Sequence, residues 1–358
     1  MAKAGTIRGL QMFISDIRAC SNREAESKRV DKELAKIRAK FGDEKKALTA
    51  YDRKKYVWKL LYIYMLGYDV EFGHKQACDL IPAAKYSEKQ VGYMACSILM
   101  NERDEFLRLS INAIHSDLTS RNEAFQCLAL TFVANIAGPE MAEALTPDVV
   151  KLVQAGSARP IVRKKAALCL LRLLRKTAPD AALVPAEAYA PVACALLEER
   201  DIGVLLAGAT LLLGIMARFG PAGYEAAGPR ALRVLERLVA LRDVTPDYTY
   251  YGIASPWLQV KCLRVLQVLP PPDSPAQQRA LREVLQAIFA TCGEQARSPT
   301  ANKANAQHAI LFEAIALALA LDAGRELLTG AVAALARFLA ARVRAAGARP
   351  RRFASLHY

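Results

Sequence analysis

Six segments of the chain share one kind of helical face, a small residue followed by Leu-rich turns. They are VGYMACSILM at 91–100, AFQCLALTFVANI at 124–136, KAALCLLRLL at 165–174, VLLAGATLLLGIM at 204–216, LQVKCLRVLQVL at 258–269 and ILFEAIALALA at 310–320. Aligned on Ala95, Ala129, Ala167, Ala209, Cys262 and Ala314, they follow one another at steps of 34, 38, 42, 53 and 52 residues. The alternation expected of half-buried strands is nearly absent.

One helix pair of about 40 residues cannot bury its own apolar face, so such units stack, and a small residue at the contact lets the inner helices approach closely. The pattern predicts an all-α chain, a right-handed α-solenoid of HEAT/armadillo-like helical repeats. The two long steps call for inserted loops. Leu241 to Pro256, with its Asp-Tyr-Thr-Tyr-Tyr run, and Leu269 to Pro275, with three consecutive prolines, supply them. Stacked repeats expose long surfaces and seldom enclose a catalytic pocket, so a scaffold or binding protein is expected.

Motifs for chemistry are missing. There is no GxxxxGK[ST], GxGxxG, HExxH or GxSxG, and His74, His115, His308 and His357 are dispersed without a paired carboxylate or cysteine motif. His115 and Asp117 are close in sequence, but positions two apart on a helix do not face each other, and a structural role is expected. The eight cysteines lack CxxC spacing, and Cys96, Cys127, Cys169 and Cys262 lie in apolar helical runs, so they read as buried thiols of a reducing compartment. No enzyme activity, cofactor or metal is expected. The longest uncharged stretch, Ile202 to Ala217, is 16 residues interrupted by glycines. A spanning helix needs about 20, so any membrane contact is expected to be peripheral.

The net charge of +14 is concentrated at the two ends. Residues 1–60 hold 16 Lys/Arg against 8 Asp/Glu, residues 331–358 hold six Arg and no acid, and the stretch between them is balanced. A basic end on a neutral body points to a localised polyanion, either a membrane surface or a nucleic acid. The sharpest candidate is Tyr51-Asp52-Arg53-Lys54-Lys55-Tyr56-Val57-Trp58-Lys59. With Asp52 as N-cap, Val57, Leu60, Leu61 and Tyr64 form one apolar face, and the cationic triplet occupies the first helical turn. Cations there oppose the helix dipole unless an anion joins them, although a solvated charged turn is the commoner meaning of a lone triplet.

Upstream, Arg8 to Arg18 reads as a helix with Leu10, Phe13, Ile14 and Ile17 on one face. Arg23 to Phe41 reads as a longer one carrying a narrow stripe of Val30, Leu34, Ile37 and Phe41. If the second folds back on the first, Arg8, Lys40 and the Arg53 to Lys59 group converge, with Lys45 and Lys46 on the connection and Tyr51 offering a hydroxyl. Leu168, Leu171 and Leu174 are expected in the inner packing surface.

Several of these stretches resemble alpha-adaptins, the large alpha subunits of the plasma-membrane clathrin adaptor complex. They are Ile7-Arg8-Gly9-Leu10, Phe13 to Arg18, Glu24-Ala25-Glu26, Lys32-Glu33-Leu34-Ala35 and Tyr51 to Lys59. Further along they include Lys89-Gln90-Val91-Gly92-Tyr93, Asp247 to Tyr251, Pro256-Trp257-Leu258 and Pro270-Pro271-Pro272. The likeness runs from residue 7 to about residue 342, and a gamma-type adaptin is the nearest competitor.

The resemblance implies a trunk domain over 1–342 that binds phosphatidylinositol 4,5-bisphosphate through Arg8, Lys40, Tyr51, Arg53, Lys54, Lys55, Tyr56 and Lys59. It also implies contact of Arg18 with the acidic residue of dileucine signals in cargo tails. Beta, mu and sigma subunits are the implied partners, and the cytoplasmic face of the plasma membrane is the implied location. No nucleic acid is expected on this reading. The competing one is a basic HEAT-repeat scaffold that binds nucleic acid or transport cargo. Family members continue into a hinge and an appendage, whereas the last stretch here, 343–358, departs from the family pattern. It is expected to be a disordered basic tail, the mark of a partial or mis-spliced product.

Overall fold

The computed structural model describes residues 7–43, 48–156, 158–177, 186–294, 300–321 and 324–347. Among them sixteen helices account for nearly all regular structure. The chain divides into two compact units, Met1–Leu183 and Val184–Tyr358.

The first unit holds α1 (Arg8–Arg18), α2 (Arg23–Phe41), α3 (Ala50–Met65), α4 (His74–Cys78), α5 (Tyr86–Leu99), α6 (Ile111–Leu118), α7 (Glu123–Ile136), α8 (Pro139–Gln154) and α9 (Pro160–Lys176). Their starts follow local chemistry. Asn22 caps α2 by accepting the Ala25 N–H at 2.8 Å, and Pro139 and Pro160 open α8 and α9, where a missing N–H costs nothing. Helices α3, α5, α7 and α9 pack in succession as one layer, and α6 and α8 pack as the other.

The second unit repeats this plan with α10 (Ala186–Leu196), α11 (Ile202–Phe219), α12 (Ala227–Val239), α13 (Pro256–Val268), α14 (Pro275–Glu294), α15 (Ala301–Ala320) and α16 (Gly324–Gly347). One layer is α11, α13 and α15, and the other is α12, α14 and α16. Each unit is thus a two-layer stack of helices, the all-helical repeat architecture expected of the sequence. Ala95, Ala129, Ala167, Ala209, Cys262 and Ala314 lie on α5, α7, α9, α11, α13 and α15, all inner helices, and every one is fully buried.

The two inserted loops fall where expected. The first carries a short antiparallel ribbon, β1 (Thr249–Tyr250) with β2 (Ile253–Ala254), and the second begins where the triple proline ends α13. Helix α11 is 18 residues long and apolar enough to cross a membrane by length and composition. Its buried residues, Leu205, Ala209, Leu212 and Met216 among them, form a continuous core that α10 and α13 cover, so it is an interior helix of the unit.

Close packing makes one glycine indispensable. A Cβ on Gly92 of α5 would stand 2.9 Å from the backbone at Leu80 and Ile81, and backbone cannot step aside as a side chain can. Gly92→Ala is expected to destabilise the first unit by about 1–3 kcal/mol, read as a lowered denaturation midpoint. An unchanged midpoint would show that the turn at 80–81 yields.

Other placements differ from expectation. Leu171 and Leu174 are buried, but Leu168 is 47% exposed because α9 presents that side outward. Tyr64, assigned to the apolar face of α3, is 42% exposed, and Ile63 takes its place in the core. His115 pairs with Asp148 of α8 at 2.5 Å, while Asp117 turns inward. Cys96, Cys169 and Cys262 are buried and Cys127 half-buried; burial pushes the Cys169 and Cys262 thiols up to about 12, far from reactive thiolate. Helix α16 continues through Gly347, beyond the 342/343 boundary read from the sequence, and 348–358 lies outside the described residues.

Candidate functional site

Helix α3 starts two residues before Asp52. Thr49 is the N-cap: its Oγ1 accepts the Asp52 N–H at 3.1 Å, and its hydroxyl donates to the Asp52 carboxylate at 2.8 Å. Thr49-x-x-Asp52 is a capping-box arrangement, a signal present in the sequence that places the acid inside the first turn, where the dipole favours it. Asp52 as N-cap is therefore corrected. Arg53, Lys54 and Lys55 stand one turn further along, so the dipole opposes them less than supposed.

The basic side chains have different surroundings. Lys55 donates to Asp52 at 2.6 Å and lies over the rings of Tyr56 and Tyr51, at 4.5 and 5.7 Å from their centroids. Burial works to lower its pKa, but the bond to Asp52 and the two tyrosines outweigh it, and the ammonium is held above its ordinary value. Lys54 reaches the first turn of α5 and donates to Ser87 Oγ at 3.2 Å. The buried Arg53 Nε has no hydrogen-bond partner among the described residues. Tyr51 is 49% exposed beside them.

Two neighbouring elements meet this turn. The stem of Lys55 passes Gly9 of α1, where a Cβ would lie 3.2 Å from Lys55 Cδ, which places the exposed Arg8 next to the α3 cluster. At the end of α2, Phe41 packs edge-on to Tyr56, ring centroids 6.1 Å apart, and leaves the adjacent Lys40 exposed. The fold thus gathers the start of α1, the end of α2 and the α3 turn, as convergence of Arg8, Lys40 and Arg53 to Lys55 requires. Lys45 and Lys46 lie outside the described residues.

Two of the sequence-predicted residues belong to the core instead. Lys59 is 5% exposed, because one turn beyond Lys55 the α3 surface faces α1 and α2. Its ammonium is bonded to the buried Glu33, which also accepts from Arg29 at 2.9 Å, and Arg29 continues to Asp16 at 2.9 Å. Tyr56 is likewise buried at 7% exposure, its ring forming a floor under Lys55. Neither offers the exposed group assigned to it. Sequence reading also missed Ser87, which is distant in sequence and carries no motif, and the withdrawal of Lys55 into a pair with Asp52, which the i, i+3 spacing announces.

Arg18 is exposed in the last turn of α1, where the dipole favours a cation. An 11-residue helix is about 16 Å long, so Arg18 and Arg8 stand on separate surfaces. Among the described residues no group of three or more His, Cys, Asp or Glu is arranged to hold a metal ion.

The model of the adaptin N-terminal region matches residues 26–346. The AP-2 complex subunit alpha-1 of Arabidopsis thaliana is 52% identical over 94% of this chain and 32% of its own length. AP-2 complex subunit alpha-2 of Dictyostelium discoideum is 42% identical over 93% of this chain and 33% of its own. AP-1 complex subunit gamma-1 of Arabidopsis thaliana is 34% identical over 93% of this chain and 36% of its own. This chain spans about a third of the length of these relatives. A chain in a homology model of the full-length AP-3 complex, in an intermediate open conformation, matches at 18% identity with a TM-score of 0.51. That match covers 80% of this chain and 44% of the other, and it speaks to the fold alone. The chain belongs to the adaptin N-terminal family, and its sequence sides with the alpha subunits over the gamma subunit.

Proposed function

We propose that this chain serves as the N-terminal trunk of the large alpha subunit of a clathrin adaptor complex. In this role it docks on phosphoinositide-bearing plasma membrane, assembles with beta, mu and sigma subunits and helps recruit cargo in clathrin-mediated endocytosis. The observation that carries the docking step is that Gly9 and Phe41 seat the start of α1 and the end of α2, with the exposed Arg8 and Lys40, against the α3 turn that bears Arg53, Lys54 and Lys55, with Tyr51 exposed beside them. Charge-assisted bonds from several cations suit a multiply phosphorylated headgroup such as that of phosphatidylinositol 4,5-bisphosphate. Tyr56 and Lys59 support this site from below without touching its ligand. Arg18, on its own surface, suits the acidic residue of a dileucine cargo signal. The reading is one of linked weak contacts and involves no catalysis.

Replacing Arg53, Lys54 and Lys55 together with Gln is expected to weaken binding to vesicles containing phosphatidylinositol 4,5-bisphosphate. Each charge accounts for about 1 kcal/mol at most, Lys55 for the least because Asp52 holds it. Co-sedimentation against charge-matched phosphatidylserine vesicles, with duplex DNA as competitor, measures the effect. Preference for the phosphoinositide that survives DNA supports a headgroup site. Binding that follows charge alone and disappears with DNA would favour a basic scaffold for nucleic acid.

A further inference from the structure

The second unit carries a half-open cavity of about 140 Å³ that the adaptor reading does not use, with the exposed Arg242 at its rim and the half-buried Lys303 in its wall. Leu238, Ile288 and Ile310 wall it, and the β1–β2 ribbon closes one side. A pocket that takes small molecules is mostly apolar, with a few placed polar groups that fix the guest. This one is not apolar throughout. Gln259 and Gln307 line it and are 5% and 6% exposed. The Gln259 amide N–H donates to the Ala254 carbonyl at 2.7 Å, which fixes the amide beside the ribbon.

The charged lining residues are both cations, Arg242 and Lys303, and neither has an ion-pair partner among the described residues. Lys303 stands in the first turn of α15, a helix with no side-chain cap and no acid in that turn, so nothing there offsets the positive end of the dipole. The wall near Arg242 is also held under strain. Arg242, Tyr251 and Ser255 have φ of 50°, 48° and 38°, and they are the non-glycine residues with left-handed backbone among those described. All three lie in the segment that borders the cavity, and such conformations persist where the surroundings over-determine them, often around ligands. The Tyr251 hydroxyl accepts from Asn302 at 3.0 Å and ties the ribbon to α15 beside Lys303.

We propose that this cavity binds a small organic anion, a phosphate or carboxylate of about six to ten non-hydrogen atoms. Arg242 and Lys303 meet its charge, and Leu238, Ile288 and Ile310 meet its carbon part. The experiment is a thermal-shift titration of the chain with glycerol phosphate and with benzoate, each against its uncharged counterpart, glycerol or benzyl alcohol. At least one anion is expected to raise the midpoint saturably while its uncharged counterpart does not, and which anion does so separates phosphate from carboxylate. Lys303→Met is expected to weaken the apparent affinity about tenfold. The triple Gln variant at Arg53, Lys54 and Lys55 leaves it unchanged, which separates this cavity from the N-terminal cluster. Arg242→Gly guards against misfolding, since glycine prefers the left-handed backbone there. It is expected to fold at least as well as the parent and to bind less. Equal shifts from charged and uncharged compounds, no shift from either anion, or unaltered binding by both Lys303→Met and Arg242→Gly would overturn the proposal.

Discussion

Glu33→Leu is expected to destabilise the first unit by about 3–5 kcal/mol, because it leaves Lys59 as a buried ammonium with no counter-charge. Lys59 and Glu33 are 5% and 2% exposed, and Phe13, the ring under Lys59, cannot replace a carboxylate. The double variant Glu33→Leu/Lys59→Met is expected to recover most of the loss, since an apolar pair of similar volume avoids desolvating either charge. Trp58 on α3 reports this unit, and Trp257→Phe as the background silences the chain's other tryptophan. A double variant as unstable as the single would refute the pairing argument and point to packing damage. Acid gives an independent reading. Burial alone would raise the Glu33 carboxyl, but the hydrogen bonds from Lys59 and Arg29 outweigh it and hold the group below the ordinary value. A depressed carboxyl stabilises fully above its unfolded pKa of about 4.3 and loses that contribution as pH falls through the folded value. The parent's midpoint therefore drops over this acid range more steeply than that of Glu33→Leu.

The same pair shows where the sequence was legible and where it was not. Helical faces came through because their signal is local: the boundaries of α1 and α2 coincide with those read from spacing, and the six repeat anchors are all buried. The approach of the start of α1 and the end of α2 to the α3 turn was legible as well, since a fold-back of two amphipathic helices suffices to suggest it. The fate of each cation was not. Lys55 and Lys59 are four residues apart on one helix, yet the first borders the surface and the second faces Glu33, 26 positions upstream. No window of sequence contains that partner. Lys54 with Ser87, 33 positions apart, is a similar case. Variants that test the proposed docking should accordingly spare Lys59, whose loss would unsettle α3 through Glu33 and so confound the reading.

Asp117→Leu is expected to have a comparable effect, about 3–5 kcal/mol, at a second buried centre of the first unit. Asp117, 5% exposed on α6, accepts from Lys89 through both carboxylate oxygens, at 2.8 and 2.9 Å, and from the Tyr93 hydroxyl at 2.6 Å. Both donors come from α5, so this one carboxylate fastens an inner helix to the next repeat. Lys89 is 3% exposed and also donates to the Ile81 carbonyl at 2.5 Å, with the Phe125 ring 4.9 Å away. Removing Asp117 leaves that cation a carbonyl and a π face, which compensate a buried charge only partly. Tyr93→Phe is expected to do less, about 1.5–3 kcal/mol, since it deletes one bond to a charged acceptor and leaves the ion pair. Burial, then the bond to Asp117, pushes the Tyr93 phenol well above its ordinary value, so its ionisation adds no pH dependence at neutral or acid pH and lowers stability only as pH rises past the unfolded phenol's value of about 10. Lys89→Met in the Asp117→Leu background is expected to restore stability toward the parent. Chemical denaturation of the three variants orders them: a Tyr93→Phe penalty equal to that of Asp117→Leu would show that the hydroxyl, rather than the ion pair, holds α5 to α6.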